Sequence, residues 1–128
     1  MLIAVGHDLQ LVAELAGRDD LREPGLVFTA AECARIDQSA DPLRSLAGAF
    51  AAKEALFKAL PALDGAFWTD MELVHDRRGA PSLRLHGVLA ERFASAGWRA
   101  LLSISHSGDY ASAIVIVDGE APTERAPA

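Results

Sequence analysis

The feature that most constrains the fold is the long apolar stretch LRSLAGAFAAKEALFKAL at residues 43–60. Its large apolar residues recur at helical three-and-four spacing, and most residues between them are Ala or Gly, so almost no polar face remains. This pattern predicts a buried helix against which the rest of the chain packs. Asp41 followed by Pro42 predicts the start of the helix, and Pro61 predicts its end.

Three charged residues, Lys53, Glu54 and Lys58, lie in the second half of this helix. Lys53 occupies a position in the apolar stripe where Leu or Phe is expected. A charge removed from water needs a partner or a ligand, because burying it unpaired is costly. Two interpretations follow: Glu54 and Lys58 pair at i,i+4 while Lys53 extends to solvent, or the three side chains line a charged pocket.

The rest of the chain predicts short helices and strands. Thr29 and Glu32 form a capping box at the start of one helix, and Asp76 to Gly79 predicts the turn of a hairpin. The predicted elements are a strand from residue 2 that breaks at Gly6 and ends at His7 and Asp8, a helix over 9–16, a loop over 18–25, a helix to about residue 37, strands over 67–75 and 81–86, a helix over 88–96, and strands over 98–107 and 111–117. This order predicts an α+β domain, in which an antiparallel sheet packs against the long central helix.

Length and composition limit the possible classes of protein. The chain has 128 residues, so one domain over residues 1–118 is expected, and the final segment 119–128, which contains two prolines, predicts a disordered tail. The net charge of −6 argues against nucleic-acid binding. Neither a membrane span nor a secretion signal is apparent, so we expect a cytoplasmic protein that does not bind membranes.

Polar residues stand in three stretches where folding alone favours apolar ones. The stretches are Gly6-His7-Asp8, the Lys53-Glu54-Lys58 group, and Ser103 to Ser107. Strand alternation in the last stretch places His106 on the same side as the core-facing residues before it, and points the serines away. Ser105 and His106 therefore give no evidence for a hydrolase.

The order and spacing of these motifs resemble the small acyl-carrier-protein-synthase type of 4′-phosphopantetheinyl transferase. The resemblance covers about residues 2–117. The motifs that carry it are G-x-D-L at 6–9, F-A-A-K-E-A-x-x-K-A at 50–59, W-T-D-x-E at 68–72, R-G-A-P at 78–81, and S-I-S-H-S at 103–107.

The resemblance implies an enzyme that moves the 4′-phosphopantetheine group of coenzyme A onto a serine of an acyl carrier protein. It also implies use of Mg²⁺ and release of adenosine 3′,5′-bisphosphate. Members of this type assemble as homotrimers with each site shared between neighbours. The sequence does not identify the carrier protein, nor whether it serves fatty-acid, polyketide or another branch of lipid metabolism.

The resemblance also assigns roles to residues. Asp8 and Glu54 are the implied metal ligands and, with Lys58, the implied catalytic residues, because Mg²⁺ favours a few carboxylates together with water and phosphate oxygens. Glu54, directly or through a metal-bound water, is the implied base, and Lys58 neutralises or protonates the leaving phosphate. Lys53 and His106 are expected to hold the diphosphate or the 3′-phosphate. The remaining residues expected at the coenzyme A site are Gly79, Pro81 and Ser107.

Two positions depart from the family pattern. Ala49 stands where many relatives carry an arginine, so one phosphate contact is missing. Glu14 stands where relatives present an arginine to the acidic carrier protein, and Arg18 and Arg22 are the residues expected to substitute for it. These departures favour an alternative hypothesis, a non-catalytic coenzyme A-binding or assembly subunit with the same fold.

Overall fold

The chain forms three α-helices and five β-strands within residues 1–63 and 65–120, which are the residues that the computed structural model describes. The elements are β1 (Leu2–Leu11), α1 (Ala30–Gln38), α2 (Pro42–Ala59), β2 (Met71–His75), β3 (Pro81–Leu85), α3 (Gly87–Ala96), β4 (Trp98–Ser107) and β5 (Tyr110–Gly119). One sheet has the antiparallel order β1–β5–β4, and β2 and β3 form a separate antiparallel hairpin. The predicted α+β class, with an antiparallel sheet against a long central helix, is confirmed.

Helix α2 begins and ends where the sequence predicts. The Asp41 carboxylate accepts a hydrogen bond from the backbone N–H of Arg44, and Pro42 takes the first helical position, where its missing N–H costs nothing. The last helical residue, Ala59, precedes Leu60 and Pro61. The alanines of α2 that face the sheet are fully buried, so this helix is the centre of the core; they are Ala47, Ala51, Ala52 and Ala55.

Small residues allow α2 to lie very close to the three-stranded sheet. A Cβ atom added at Gly6 of β1 would stand 1.9 Å from the carbonyl oxygen of Ala55, so only glycine fits there. Alternate residues of β1 then face the helix, and they are Gly6, Asp8 and Gln10. The close contact therefore directs the Asp8 side chain towards the C-terminal half of α2.

Helix α1 and Trp68 complete the packing around α2. The predicted capping box is present: the Thr29 hydroxyl accepts from the N–H of Glu32, and the Glu32 carboxylate accepts from the N–H of Thr29. The Trp68 ring stacks on Phe50 at 5.7 Å and meets Phe57 edge-on at 4.7 Å. These contacts fix the segment that leads into the β2–β3 hairpin.

The N-terminal region differs most from the sequence prediction. Strand β1 continues through Gly6 to Leu11, and the predicted helix over 9–16 is a short 3₁₀ turn, Val12–Leu15. A further 3₁₀ turn, Asp19–Arg22, lies within the predicted loop, and β2 begins at Met71 rather than at residue 67. Backbone pairing of β1 with β5 along its whole length stabilises the extended conformation, which outweighs the helical spacing of a few apolar residues.

The C-terminal strand reaches one residue into the predicted tail. Gly119 belongs to β5, and its N–H donates to the carbonyl oxygen of Met1. The rest of the predicted tail, residues 121–128, lies outside the described residues apart from Glu120, which follows the strand. In the part of the chain that the structure describes, no helix combines the length and the hydropathy that a membrane crossing requires.

Candidate active site

An ion pair joins β1 to the C-terminal half of α2. The Nζ of Lys58 lies 2.8 Å from Oδ1 of Asp8, whose side chain is only 10% exposed. This hydrogen bond is the main reason that the pKa of Lys58 is raised. The i,i+4 pairing of Lys58 with Glu54, one of the two interpretations from the sequence, is therefore not the arrangement found.

The second oxygen of Asp8 has no partner. Its Oδ2 is buried and forms no hydrogen bond with any residue that the structure describes. An unpaired buried carboxylate oxygen is unfavourable, so its presence suggests a position where a cation or a donor binds. The pair Asp8 and Lys58 thus leaves one acceptor available on the side of β1 that faces α2.

Glu54 lies one turn before Lys58 on the same helix and is affected by Asp8. Partial burial raises the pKa of Glu54, and the negative charge of Asp8 raises it further, while Lys58 opposes the increase. The predicted trio of Asp8, Glu54 and Lys58 is therefore brought together at one strand–helix contact. A carboxylate with a raised pKa is suited to accept a proton near neutral pH.

This group also fits a hard divalent cation. No cluster of three or more His, Cys, Asp or Glu side chains with metal-binding geometry exists in residues 1–63 and 65–120. Mg²⁺ does not need such a cage, because it retains several waters and binds through one or two carboxylates plus phosphate oxygens. The unpaired Oδ2 of Asp8, near the carboxylate of Glu54, fits that ligand set.

Lys53 lies elsewhere, although it precedes Glu54 in the sequence. Its side chain is fully buried, and its Nζ donates to Glu32 Oε1 at 2.8 Å and to the carbonyl oxygens of Val27 at 2.7 Å and Trp68 at 3.1 Å. Burial lowers the pKa of Lys53, and the charge of Glu32 opposes that effect. The ammonium neither extends to solvent nor faces a pocket, so the structure does not place it with the other predicted coenzyme A ligands.

A separate pocket of about 290 Å³ lies beside the N-terminal half of α2. It contains three of the predicted coenzyme A residues, Gly79, Pro81 and His106. The Nε2 of His106 lies 2.9 Å from the carbonyl oxygen of Arg44, so Nε2 carries a proton and donates it. A Cβ at Gly48 would stand 2.9 Å from that nitrogen, so glycine makes room for the imidazole. Ser107, at the end of β4, is exposed and does not line the pocket.

Sequence reasoning missed two residues of this pocket, Arg35 from α1 and His75 from β2. The Nδ1 of His75 is buried and has no hydrogen-bond partner among the described residues. Burial lowers the pKa of His75, and the nearby charge of Arg35 lowers it further. The only sequence signal was that His75 and Arg35 are polar residues within elements that otherwise contribute to the core.

The predicted carrier-docking residues are already paired within the chain. Arg18 forms a two-point ion pair with Asp20, and Arg22 pairs with Asp37; all four side chains are exposed. Glu14, in the adjacent 3₁₀ turn, accepts a hydrogen bond from Gln10. Exposed ion pairs are weak, so both arginines are able to exchange partners, but their surroundings are acidic.

The predicted site residues therefore fall into two groups in one subunit. Asp8, Glu54 and Lys58 lie near the C-terminal half of α2, whereas the pocket with His106 lies against Gly48. Gly48 precedes Glu54 by six residues, which is about 9 Å along the helix axis at 1.5 Å per residue, and Lys58 lies a further turn away.

Comparisons with known proteins identify the family. Residues 4–115 match the model of the 4′-phosphopantetheinyl transferase superfamily, which is most of the chain. The chain belongs to this superfamily. The resemblance inferred from the motifs is therefore confirmed, and so is the prediction that the chain is an enzyme of the holo-acyl-carrier-protein synthase type.

Individual members of the superfamily agree over nearly the whole chain. A holo-[acyl-carrier-protein] synthase of Clavibacter michiganensis is 45% identical over 126 residues, which cover 95% of this chain and 100% of the relative. The acyl carrier protein synthase structure of Mycobacterium tuberculosis has a TM-score of 0.75 at 34% identity, covering 94% of this chain and all of that one. A synthase–coenzyme A complex of Chronobacterium ammoniagenes has a TM-score of 0.76 at 31% identity, covering 92% of this chain and 98% of that one.

Proposed function

We propose that this chain transfers the 4′-phosphopantetheine group of coenzyme A to a serine of an acyl carrier protein and releases adenosine 3′,5′-bisphosphate. The observation that carries the proposal is the convergence of Asp8, Glu54 and Lys58, with the buried Oδ2 of Asp8 left unpaired. Two carboxylates and an ammonium at one point fit a reaction that needs a base and a cationic site for a diphosphate.

The reaction transfers a phosphoryl-linked group, and each side chain has a distinct part in it. The serine oxygen attacks the β-phosphorus of coenzyme A, a new oxygen–phosphorus bond forms, and the bond from that phosphorus to the bridging oxygen of the α-phosphate breaks. Glu54 accepts the proton of the attacking serine, for which its raised pKa is suited. Lys58 lies one helical turn further, where its ammonium stabilises the negative charge on the leaving adenosine 3′,5′-bisphosphate.

Asp8 and Glu54 are the residues that would hold Mg²⁺. When bound, Mg²⁺ neutralises charge on the diphosphate oxygens and orients them for in-line displacement. Asp8 also holds the Lys58 ammonium through its Oδ1, so the same carboxylate positions the cationic side chain and offers its Oδ2 to the ion.

We propose further that the pocket beside α2 receives the adenosine end of coenzyme A. The Gly79–Pro81 turn and His106 line it, in agreement with the roles assigned from the sequence. The positive φ of Gly79, 83°, gives the tight turn that allows backbone to approach a ligand. Because this pocket and the Asp8 group lie apart in one subunit, one coenzyme A molecule contacts both when a neighbouring subunit supplies one of them.

An apolar surface supports such an assembly. The face of the three-stranded sheet that points away from α2 carries large apolar side chains that are 39–57% exposed: Val5, Leu9, Leu101 and Ile114. Apolar surface gathered on one sheet face is typical of a surface covered by another subunit. We propose a homotrimer with shared sites, as the family resemblance implies.

The partners remain those expected from the sequence. The acidic carrier protein is proposed to dock through Arg18 and Arg22, which exchange Asp20 and Asp37 for carboxylates of the partner. The cytoplasmic location, the single domain over residues 1–118, and a role in fatty-acid or polyketide synthesis stay predictions.

The decisive experiment is incubation of the purified protein with labelled coenzyme A, Mg²⁺ and a panel of apo carrier proteins, with mass spectrometry of each carrier. We expect one carrier to gain a single phosphopantetheinyl group. Asp8→Asn and Glu54→Gln should abolish the gain, whereas Arg92→Gln, a change on the exposed face of α3, should not. Tight coenzyme A binding without mass gain on any carrier would favour the non-catalytic alternative.

A further inference from the structure

The pocket beside α2 has two chemically different walls. One wall is apolar, and the other carries Arg35, His75 and His106, all of which are able to hold positive charge. The apolar residues are Ile36, Leu73, Pro81 and Ile104. A cavity of this composition suits a ligand with a flat apolar part and an anionic group, such as a nucleoside phosphate.

The charges that face the pocket leave it positive. Glu32 lines it, but its carboxylate pairs with Lys53 and accepts the N–H groups of Thr29 and Leu73, so that charge is already balanced. Asp76, the next residue after His75, uses one oxygen to accept two backbone N–H groups of the hairpin turn. The Arg35 guanidinium is therefore the dominant charge at the mouth.

His75 gives independent evidence of a ligand. Its Nδ1 is buried without a partner in residues 1–63 and 65–120, and it lies in the same pocket as Arg35. Buried polar atoms in folded proteins are normally hydrogen-bonded, so a pocket-lining nitrogen without a bond is a candidate donor to a bound oxygen. Arg35 is close enough to His75 to affect its proton affinity, so one small anion is able to contact both.

We propose that Arg35 and His75 bind the 3′-phosphate of coenzyme A. This inference rests on the proposed function, because the diphosphate is assigned to Asp8, Glu54 and Lys58 and the 3′-phosphate is the remaining anionic group of the molecule. The short side chain of Ala49 leaves the space between α2 and Arg35 open for it. Arg35 supplies the charge and His75 donates from Nδ1, while the apolar wall takes the adenosine.

The test compares coenzyme A with 3′-dephospho-coenzyme A, which differs only in this phosphate. Binding of each is measured by calorimetry in the absence of any carrier protein. We expect the unmodified chain to prefer coenzyme A by about tenfold or more, since charge-assisted hydrogen bonds are at stake. Arg35→Gln and His75→Leu should weaken coenzyme A alone and bring the ratio close to one.

Two further variants separate binding from structure. His75→Asn places an amide nitrogen where Nδ1 lies, so it should retain most of the preference, and Arg92→Gln, outside the pocket, should retain all of it. Equal binding of both ligands by the unmodified chain, no binding of either, or variants that weaken both ligands alike would overturn the proposal. Transfer to a carrier is scored separately: preference without transfer contradicts only the proposed function, whereas transfer without preference contradicts only this inference.

Discussion

The buried pair of Lys53 and Glu32 makes a strong prediction about stability. In Lys53→Met the carboxylate of Glu32, whose side chain is 2% exposed, loses its counter-charge, and the carbonyl oxygens of Val27 and Trp68 lose their donor. Glu32 keeps the N–H groups of Thr29 and Leu73, which limits the loss. We expect the free energy of unfolding to fall by about 3–5 kcal/mol, the usual effect of removing one partner of a buried ion pair.

The assay is urea unfolding at one fixed protein concentration, because self-association would make the apparent stability depend on concentration. With a slope of about 2 kcal/mol/M, the loss should lower the midpoint by about 2 M. Lys58→Met is the matched control: the Lys58 side chain is 54% exposed, so its removal should cost only about 0.2–1 kcal/mol.

A double-mutant cycle tests the cause of the effect. In Lys53→Met/Glu32→Gln no unpaired charge remains buried, so the two changes should be non-additive by about 1–3 kcal/mol. A loss for Lys53→Met as small as that of Lys58→Met, or strictly additive effects of the two substitutions, would refute the reasoning.

Three further predictions follow from the geometry. Gly6→Ala should destabilise the fold by at least about 1–3 kcal/mol in the same urea assay, because its Cβ would overlap the carbonyl oxygen of Ala55; a neutral effect would contradict the close approach of β1 and α2. The raised pKa of Glu54 means that the folded state retains a proton that the unfolded state has lost, so stability falls as pH rises from the unfolded pKa through the folded one. Glu54→Gln should therefore be more stable than the parent at pH 7 and lose that advantage at pH 4, and a constant difference between the two pH values would count against it. Ile114→Lys, on the apolar outer sheet face, should lower the mass measured by sedimentation to that of a single chain, and an unchanged mass would place the subunit contact elsewhere.

Local signals in the sequence predicted much of the fold. The capping box at Thr29, the Asp41–Pro42 start of α2 and the β2–β3 hairpin depend on residues close in sequence, and all are present in the structure. The continuation of β1 to Leu11 was missed, because pairing with β5 decides it and the two strands are almost a hundred residues apart.

The site was predicted less completely for the same reason. The i,i+4 rule suggested Glu54 as the partner of Lys58, but the actual partner, Asp8, is 50 residues away, and Lys53 pairs with Glu32, 21 residues away. Which of three neighbouring charges faces the core depends on the rotation of α2 against the sheet and α1. Sequence spacing within one helix does not determine that rotation.

The carboxylate of Glu32 has a consequence for how the molecule opens. One oxygen accepts from the start of α1 and from Lys53 of α2, and the other accepts from the backbone of β2 at Leu73. Unravelling any one of these three segments would strand a negative charge in the interior of the other two. Slow amide hydrogen exchange should therefore report α1, α2 and the hairpin as a single cooperative unit, so the nucleotide pocket between them is held rigid before any ligand arrives.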